Sequence, residues 1–476
     1  MNKISFIPTK NNSYIHADKK NFCLFVPEAM KATLNSVGNS EYYNQKLRFW
    51  KENDLLSKDD ITLQTEYSEE LVRQNLACLR QLLIEVTDCC NLKCKYCGYG
   101  EFYSNYDKRN TRNQNFENVK ILIDYLLELW TSEYNVSHEN TVTIGFYGGE
   151  PLLNMKLVKE TISYLESLKL QKLNFRYNMT TNALLLDKYM DYLVEKDFNL
   201  LFSLDGNEYN NSYRMDNCGN PSFIKVTNNI QKLKETYPDY FEKRVGFNTV
   251  LHNRNSVEES YRTIYGLFGK VPRVTELNTT GIVPKRLVEF AQIFKSSNES
   301  FNQAIKQPEI KEAFKAKDVK SNQFHSMLMQ YSGNYHTSYS ELFTKSDKVA
   351  YLPTSTCQPF ERRLFLTVNG KILPCEKIGQ EHSVGKLSNG KLELDCKFVA
   401  EYYSSLYRKV ISNCHSCQLK KNCKQCLFTL QNKHEKLICL DITNEKKLTE
   451  MFSMFLSYAE EHPEDYEYLL SSIALE

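Results

Sequence analysis

The middle of the chain repeats one pattern. A short run of β-branched or aromatic residues comes first, followed by a segment whose apolar positions recur at helical spacing. The short runs are Leu82–Thr87, Thr141–Tyr147, Asn174–Met179, Leu200–Leu204, Val245–Leu251 and Glu276–Val283, and their length and composition read as strands. Between the first two, Val119, Leu122, Ile123, Leu126, Leu127 and Trp130 fall at i, i+3, i+4, i+7, i+8 and i+11, one face of an α-helix. Met155–Leu168, Leu186–Glu195, Phe223–Leu233 and Val257–Phe268 are amphipathic in the same way. Six strand–helix units in succession predict a parallel sheet with right-handed crossovers. Periodicity does not choose between a barrel, a partial barrel and an open doubly wound sheet.

The flanks differ. Ile4–Ile7, Ser13–Ile15 and Phe22–Val26 read as short strands, and Glu28–Ser36 and Tyr42–Trp50 as helices after Pro27. Residues 1–80 are therefore expected to form a small winged-helix-like domain, followed by the α/β core at 81–283. Residues 284–350 are polar and read as a connecting helical segment. From 351 to 445 the signals are short and irregular, with cysteines set among turns. The tail, 446–476, reads as a helix pair broken by Pro463.

Charge and compartment narrow the function. Lys plus Arg is 60 and Asp plus Glu is 58, a formal net charge of +2. That argues against a nucleic-acid partner, which selects a basic excess on one face. The opening MNKISFIPTKNNSYIHADKK holds no apolar run of secretory-signal length. No segment approaches the roughly 20 apolar residues that span a bilayer. A cytoplasmic protein with no membrane association is expected, with its thiols reduced. The 15 cysteines then read as metal ligands or reactive groups rather than disulfides. They are clustered, for between Cys97 and Cys357 only Cys218 occurs.

Cys90, Cys94 and Cys97 form CxxxCxxC directly after the first strand. Three thiolates on one loop can hold three irons of a 4Fe–4S cluster and leave the fourth open. The alternative is a three-Cys zinc site completed by a remote His. Gly148-Gly149-Glu150-Pro151 closes the second strand. By itself GGEP is a common turn, but ligands of parallel α/β barrels sit at the strand C-terminal ends. Thr181-Asn182-Ala183 ends the third strand, Ser203-Leu204-Asp205-Gly206 the fourth, and Arg214 follows. These are polar groups suited to a ribose and a carboxylate, or to solvent.

Together, CNLKCKYC, GGEP and SxDG resemble the radical S-adenosylmethionine superfamily over about residues 80–283. The resemblance implies a partial (β/α)6 barrel. It implies that Cys90, Cys94 and Cys97 ligate three irons, and that the amine and carboxylate of S-adenosylmethionine chelate the fourth. It places Tyr96 near the adenine and Gly148, Gly149 and Glu150 at the methionine amino group. Asn182 lies in the segment matching the family's TNG, and Ser203, Asp205 and Arg214 come near the ribose and carboxylate. Ala183 stands where relatives carry Gly, and Asn210-Asn211 where many carry His-Asp. The implied chemistry is one-electron cleavage of the sulfonium, giving a 5′-deoxyadenosyl radical that abstracts a substrate hydrogen. A one-electron reductant such as flavodoxin or ferredoxin is the implied partner. No catalytic acid or base is identified.

A second cysteine group begins at Cys357. GKILPC ends at Cys375, and Cys414-His-Ser-Cys417, Cys423-Lys-Gln-Cys426 and Cys439 follow. Seven cysteines in this order resemble the SPASM domain of peptide-modifying radical enzymes, although the last internal gap is two residues rather than three. A zinc ribbon is the alternative. The resemblance implies two auxiliary 4Fe–4S clusters, one on Cys357, Cys375 and Cys426, the other on Cys414, Cys417, Cys423 and Cys439. The first has an open iron or takes Cys396 as its fourth ligand. Winged-helix-like domains of ribosomal-peptide (RiPP) maturases bind a precursor leader by strand addition, and Phe22–Val26 is the candidate edge. The expectation is a maturase that cross-links a precursor peptide's core, through a thioether or another bond. An anaerobic sulfatase-maturating enzyme making formylglycine, and a zinc-ribbon binding protein, are the alternatives.

Overall fold

The structure, a computed structural model, describes residues 6–18, 22–34, 40–57, 61–137, 140–314, 324, 350–420, 423–433 and 436–471. The chain divides into two compact units. One comprises Met1–Thr65, Ala316–Thr356 and Ser405–Glu476, the other Glu66–Lys315 and Cys357–Ser404.

In the first unit, β1 (Ile7–Pro8), β2 (Ser13–Ala17) and β3 (Phe22–Phe25) form an antiparallel sheet in that order. Strand β2 alternates, burying Ser13, Ile15 and Ala17, as a sheet with one packed face must. Helices α1 (Glu28–Leu34) and α2 (Glu41–Glu52) follow, and Ile15, Val26, Met30 and Trp50 share one core. A second core joins Ile7 to Phe324 and to Phe452, Phe455 and Tyr458 of the helix Glu445–Glu461. On that helix Glu460 accepts hydrogen bonds from Thr9, Asn12 and Tyr14 at 2.7, 3.0 and 2.9 Å. Three short strands cannot bury both faces alone, so the tail, expected as a separate element, completes the N-terminal fold. The expected boundary at residue 80 falls at Thr65 instead, because α3 (Glu69–Ala77) belongs to the second unit and packs on its first barrel helix.

That second unit holds the parallel sheet. Strands β5 (Gln81–Thr87), β6 (Thr141–Gly148), β7 (Asn174–Thr181), β8 (Asn199–Ser203), β9 (Val245–Val250) and β10 (Arg273–Thr275) lie in sequence order; β4 (Thr62–Leu63) belongs to the first unit. Every neighbouring pair from β5 to β10 is parallel. Helices α4 (Phe116–Trp130), α5 (Met155–Ser167), α6 (Leu186–Glu195), α7 (Phe223–Thr236), α8 (Pro238–Arg244) and α9 (Val257–Phe268) fill the crossovers. The order never reverses, which selects a partial (β/α)6 barrel over a doubly wound sheet.

The expected sixth strand, Glu276–Val283, is displaced to Arg273–Thr275. Gly281 takes φ +71°, and Ile282 instead makes an isolated bridge to Tyr103. The cysteine-rich segment is more regular than its sequence suggests. Arg363–Leu366 runs parallel to β5, and Lys371–Leu373, Gly385–Ser388 and Lys391–Glu393 add antiparallel strands to the same sheet. The expected range 351–445 is thus divided between the units. Of the connecting segment 284–350, helices Leu287–Ile293, Ser297–Ala304 and Pro308–Ala313 are described. Residues 315–323 and 325–349 lie outside the described residues.

Ala183 is fully buried at φ +61° just after β7. Left-handed backbone is costly for any residue with a Cβ. Ala183→Gly is expected to raise stability by about 1 kcal/mol, read as a higher urea midpoint with unchanged slope.

Candidate functional site

The loop after β5 is fixed at several points. The Asp88 carboxylate accepts from the Asn110 and Arg112 backbone N–H groups at 2.8 and 2.7 Å. Lys93 and Lys95 donate through their backbone N–H to the Met215 and Tyr213 carbonyls at 2.8 and 3.2 Å. Asn182 Nδ2 donates to Asn91 Oδ1 at 2.8 Å. The GGEP segment lies directly against this loop, with Gly149 N–H on the Thr87 carbonyl and Glu150 N–H on the Cys89 carbonyl, both 2.8 Å. A Cβ on Gly149 would meet the Cys89 oxygen at 2.0 Å, and one on Gly148, at φ +135°, the Thr87 oxygen at 2.2 Å. Only glycine permits this approach.

A cavity of about 300 Å³ opens over the strand ends. Cys90, Cys94, Cys97, Tyr96, Gly148, Gly149, Glu150, Asn182, Ser203 and Arg214 all line it. Asp205 does not. It is fully buried behind Arg214, whose Nε and Nη2 donate to its two oxygens at 2.9 and 3.1 Å. The Tyr96 hydroxyl donates to the same carboxylate. Burial opposes ionisation of Asp205, yet the charge and hydrogen bonds of Arg214 together with His252 outweigh it and hold the carboxyl at about 2. With Nε and Nη2 occupied, Arg214 has Nη1 left for other acceptors.

Glu150 is also more internal than its motif suggests. Its Oε1 accepts from the Thr181 hydroxyl at 2.6 Å and the Leu152 N–H at 3.1 Å, and its Oε2 from the Asn182 N–H at 2.8 Å. Burial pushes its carboxyl up to about 7, against these donors. Asn210 and Asn211, in place of His-Asp, are buried as well. Asn211 Oδ1 accepts from the Asp205 N–H at 3.3 Å.

The cysteines fit an iron–sulfur cluster. Burial pushes the Cys90 thiol up to about 11 and the Cys94 thiol up to about 12. They stay protonated unless a metal draws off the proton. Each sulfur nevertheless faces a donor: Leu92 N–H to Cys90 at 3.4 Å, Arg109 Nη2 to Cys97 at 3.2 Å, and Arg214 Nη1 towards Cys94 at 4.0 Å. Such donors suit ligating thiolates. Arg109 Nε is buried with no acceptor. Among the described residues, no three His, Cys, Asp or Glu side chains stand close enough to hold a single metal ion. A cluster differs in spacing its ligands around an extended iron–sulfide core.

The later cysteines fall into two sets. Cys414, Cys417, Cys423 and Cys439 line one cavity in the first unit, with Pro353, Thr354 and Val410. Here too N–H groups meet sulfur, from Thr443 to Cys417 at 3.5 Å and from Gln425 to Cys423 at 3.4 Å. Cys426 is in the same unit but not among that cavity's lining residues. Cys357 and Cys375 belong to the second unit, both beside Arg363. Cys396 is buried next to Tyr125 and Arg73, at the start of the helix Cys396–Ser416.

Sequence reasoning missed Arg109 and His252, and named Thr181 within the TNA segment but not as the partner of Glu150. Arg109 sits in a polar loop without a motif. His252 is fully buried, its ring stacked on Tyr96 at 5.4 Å and its Nε2 3.6 Å from Asp205. No sequence signal singles it out.

Removing one partner of a buried ion pair leaves an uncompensated charge, so Arg214→Leu should cost about 3–5 kcal/mol at neutral pH. Because its folded pKa is lowered to about 2, Asp205 contributes stability above its ordinary range, lost as pH falls towards 2. Urea unfolding between pH 2 and pH 7 should show that acid loss in the wild type and a much shallower one in the variant.

The chain matches the Radical SAM superfamily over residues 84–264. The radical SAM cyclopropyl synthase TigE of Paramaledivibacter caminithermalis is 23% identical over 380 residues, 76% of this chain and 71% of that protein. The serine-type anaerobic sulfatase-maturating enzyme of Bacteroides thetaiotaomicron is 32% identical over 154 residues, 31% of this chain and 34% of that protein. The first curated relatives are matched over 54%, 71% and 34% of their own length. Among solved structures, native anSMEcpe with bound AdoMet has a TM-score of 0.51 at 16% identity, over 82% of this chain and 100% of that chain. A domain of the radical SAM superfamily occupies residues 84–264 of this chain.

Proposed function

We propose that the chain is a radical S-adenosylmethionine maturase that cross-links a ribosomally made precursor peptide. The observation that carries the reading is the single cavity lined by Cys90, Cys94, Cys97, Gly148, Gly149, Glu150, Ser203 and Arg214. Cys90, Cys94 and Cys97 would hold three irons of the radical cluster. When bound, the cluster and S-adenosylmethionine supply one-electron sulfonium cleavage and hydrogen abstraction from an unactivated C–H. The chain's own groups bind and orient. The Gly148–Glu150 segment would receive the methionine amine, with Glu150 bracing the loop. Asn182 steadies the cysteine loop through Asn91. Ser203 and the remaining Arg214 donor would hold the ribose and carboxylate, and Tyr96, held by Asp205, would border the adenine. A flavodoxin- or ferredoxin-like donor would supply the electron.

The cysteine-rich segment supports an oxidative maturase with two auxiliary clusters. Cys414, Cys417, Cys423 and Cys439 would ligate one. Cys357 and Cys375 would contribute to the other, whose open site would take a substrate thiolate, since Cys396 has Tyr125 and Arg73 as neighbours. The alignment to TigE, spanning three quarters of this chain, favours this reading over one confined to the barrel. Formylglycine formation on a sulfatase remains the second reading, favoured by the identity to the serine-type enzyme.

Strand β3 supports leader binding. Val26 N–H bonds the Ser13 carbonyl at 2.8 Å, and Tyr14 opposes Phe25. Antiparallel pairs alternate, so the backbone N–H and C=O of Cys23 and Phe25 point away from β2, where no described residue pairs with them. A peptide strand could add along this edge.

Anaerobically reconstituted wild type should absorb broadly near ~400 nm and hold about twelve irons, four per cluster. Replacing Cys90, Cys94 and Cys97 by Ala should abolish 5′-deoxyadenosine formation and leave about eight irons. Retained cleavage, or stoichiometric zinc without iron, would refute the assignment. Phe25→Pro removes one outward N–H at a position where an edge strand tolerates proline. It should weaken precursor binding about tenfold, the loss of one peptide hydrogen bond, while uncoupled cofactor cleavage persists. Turnover of a sulfatase peptide in place of a precursor would favour the second reading.

A further inference from the structure

Arg109 approaches a sulfur of the cysteine loop more closely than Arg214 does, yet it lies in no recognised motif. Its Nη2 donates to Cys97 Sγ at 3.2 Å. Its guanidinium lies over the Tyr99 ring, 4.8 Å from the centroid. The Tyr99 hydroxyl reaches towards Glu85, a buried carboxyl whose Oε2 accepts from the Val368 N–H at 2.8 Å. The side chain is therefore braced from behind. Its Nε, buried and without an acceptor, is a second donor of the same fork. Both Arg109 and Cys97 line the cavity.

We propose that Arg109 sets the reduction potential of the radical cluster, as a positioning and tuning residue rather than a catalytic one. The argument is charge balance. A 4Fe–4S core of charge 2+ on three thiolates carries a net charge of −1, and one electron from an external reductant takes it to −2. A fixed guanidinium bonded to one thiolate favours the more negative state. Hydrogen bonds to the sulfurs and net charge are the established means by which proteins set such potentials. Arg109 supplies both, and its unpaired Nε offers a further donor to a core sulfide. Stacking on Tyr99 restricts the fork to one orientation, so less is lost on forming each bond.

The inference rests on the assignment of Cys90, Cys94 and Cys97 to a cluster. Full-length wild type, Arg109→Gln and Arg109→Lys are reconstituted anaerobically. Each is titrated with a low-potential reductant while the EPR signal that changes on adding S-adenosylmethionine is followed. That response distinguishes the radical cluster from auxiliary ones. In Arg109→Gln the reduction equilibrium should become about tenfold less favourable at unchanged iron content, a shift of about 59 mV to more negative potential for one electron. Arg109→Lys, which keeps the charge and loses the fork, should fall between. A wild-type potential in a fully loaded Arg109→Gln overturns the proposal. Should that variant fail to hold its cluster, Arg109→Lys decides: a negative shift supports the proposal, and a wild-type potential overturns it. A wild type without any S-adenosylmethionine-responsive signal would instead refute the cluster assignment itself.

Discussion

The site depends on one close approach of backbone to backbone. Gly148 and Gly149 bring the end of β6 against residues 87–89, so that two main-chain hydrogen bonds join the GGEP segment to the cysteine loop. Side chains at either glycine would collide with carbonyl oxygens. The consequence is geometric. The loop bearing Cys90, Cys94 and Cys97 is registered to the sheet by main-chain atoms, whose positions do not depend on rotamers. Neighbouring donors from Asn182 and from the backbone around Asp88 then restrict it further.

Two buried carboxyls organise the remainder, by opposite electrostatics. Asp205 is ionised because Arg214 is paired to it, and the pair anchors Tyr96 and borders His252. Glu150 has no cation among its hydrogen-bond partners. It relies on Thr181, Leu152 and Asn182 as neutral donors, so burial raises its pKa to about 7. Motif residues that look like ligand contacts thus serve first as internal braces. Buried polar groups concentrate at these strand ends because each must find a partner there.

The barrel was legible because its signals are local. Four of the five helices read from amphipathic spacing end within a residue of their observed bounds, and α7 runs three residues further than expected. The sixth strand was misplaced because Glu276–Val283 is rich enough in β-branched residues to pass for a strand, while the bridge from Ile282 to Tyr103 depends on distant pairing. The N-terminal domain was misread in extent for a similar reason. Its sheet is completed by Phe452, Phe455 and Tyr458, more than 400 residues away in sequence, and periodicity carries no information about such partners.

By itself the sequence determined the parallel α/β architecture, the cysteine spacing and the glycine pair, since each is a property of neighbouring residues. Only the tertiary structure decided that the strand order never reverses and that Asp205 stands behind Arg214 rather than in the cavity. It also decided that Arg109 reaches Cys97 and that four late cysteines share one cavity. These are relations between residues far apart in the chain. They are fixed by packing, by burial of charge and by the demand that each buried polar group find a partner, not by local propensity.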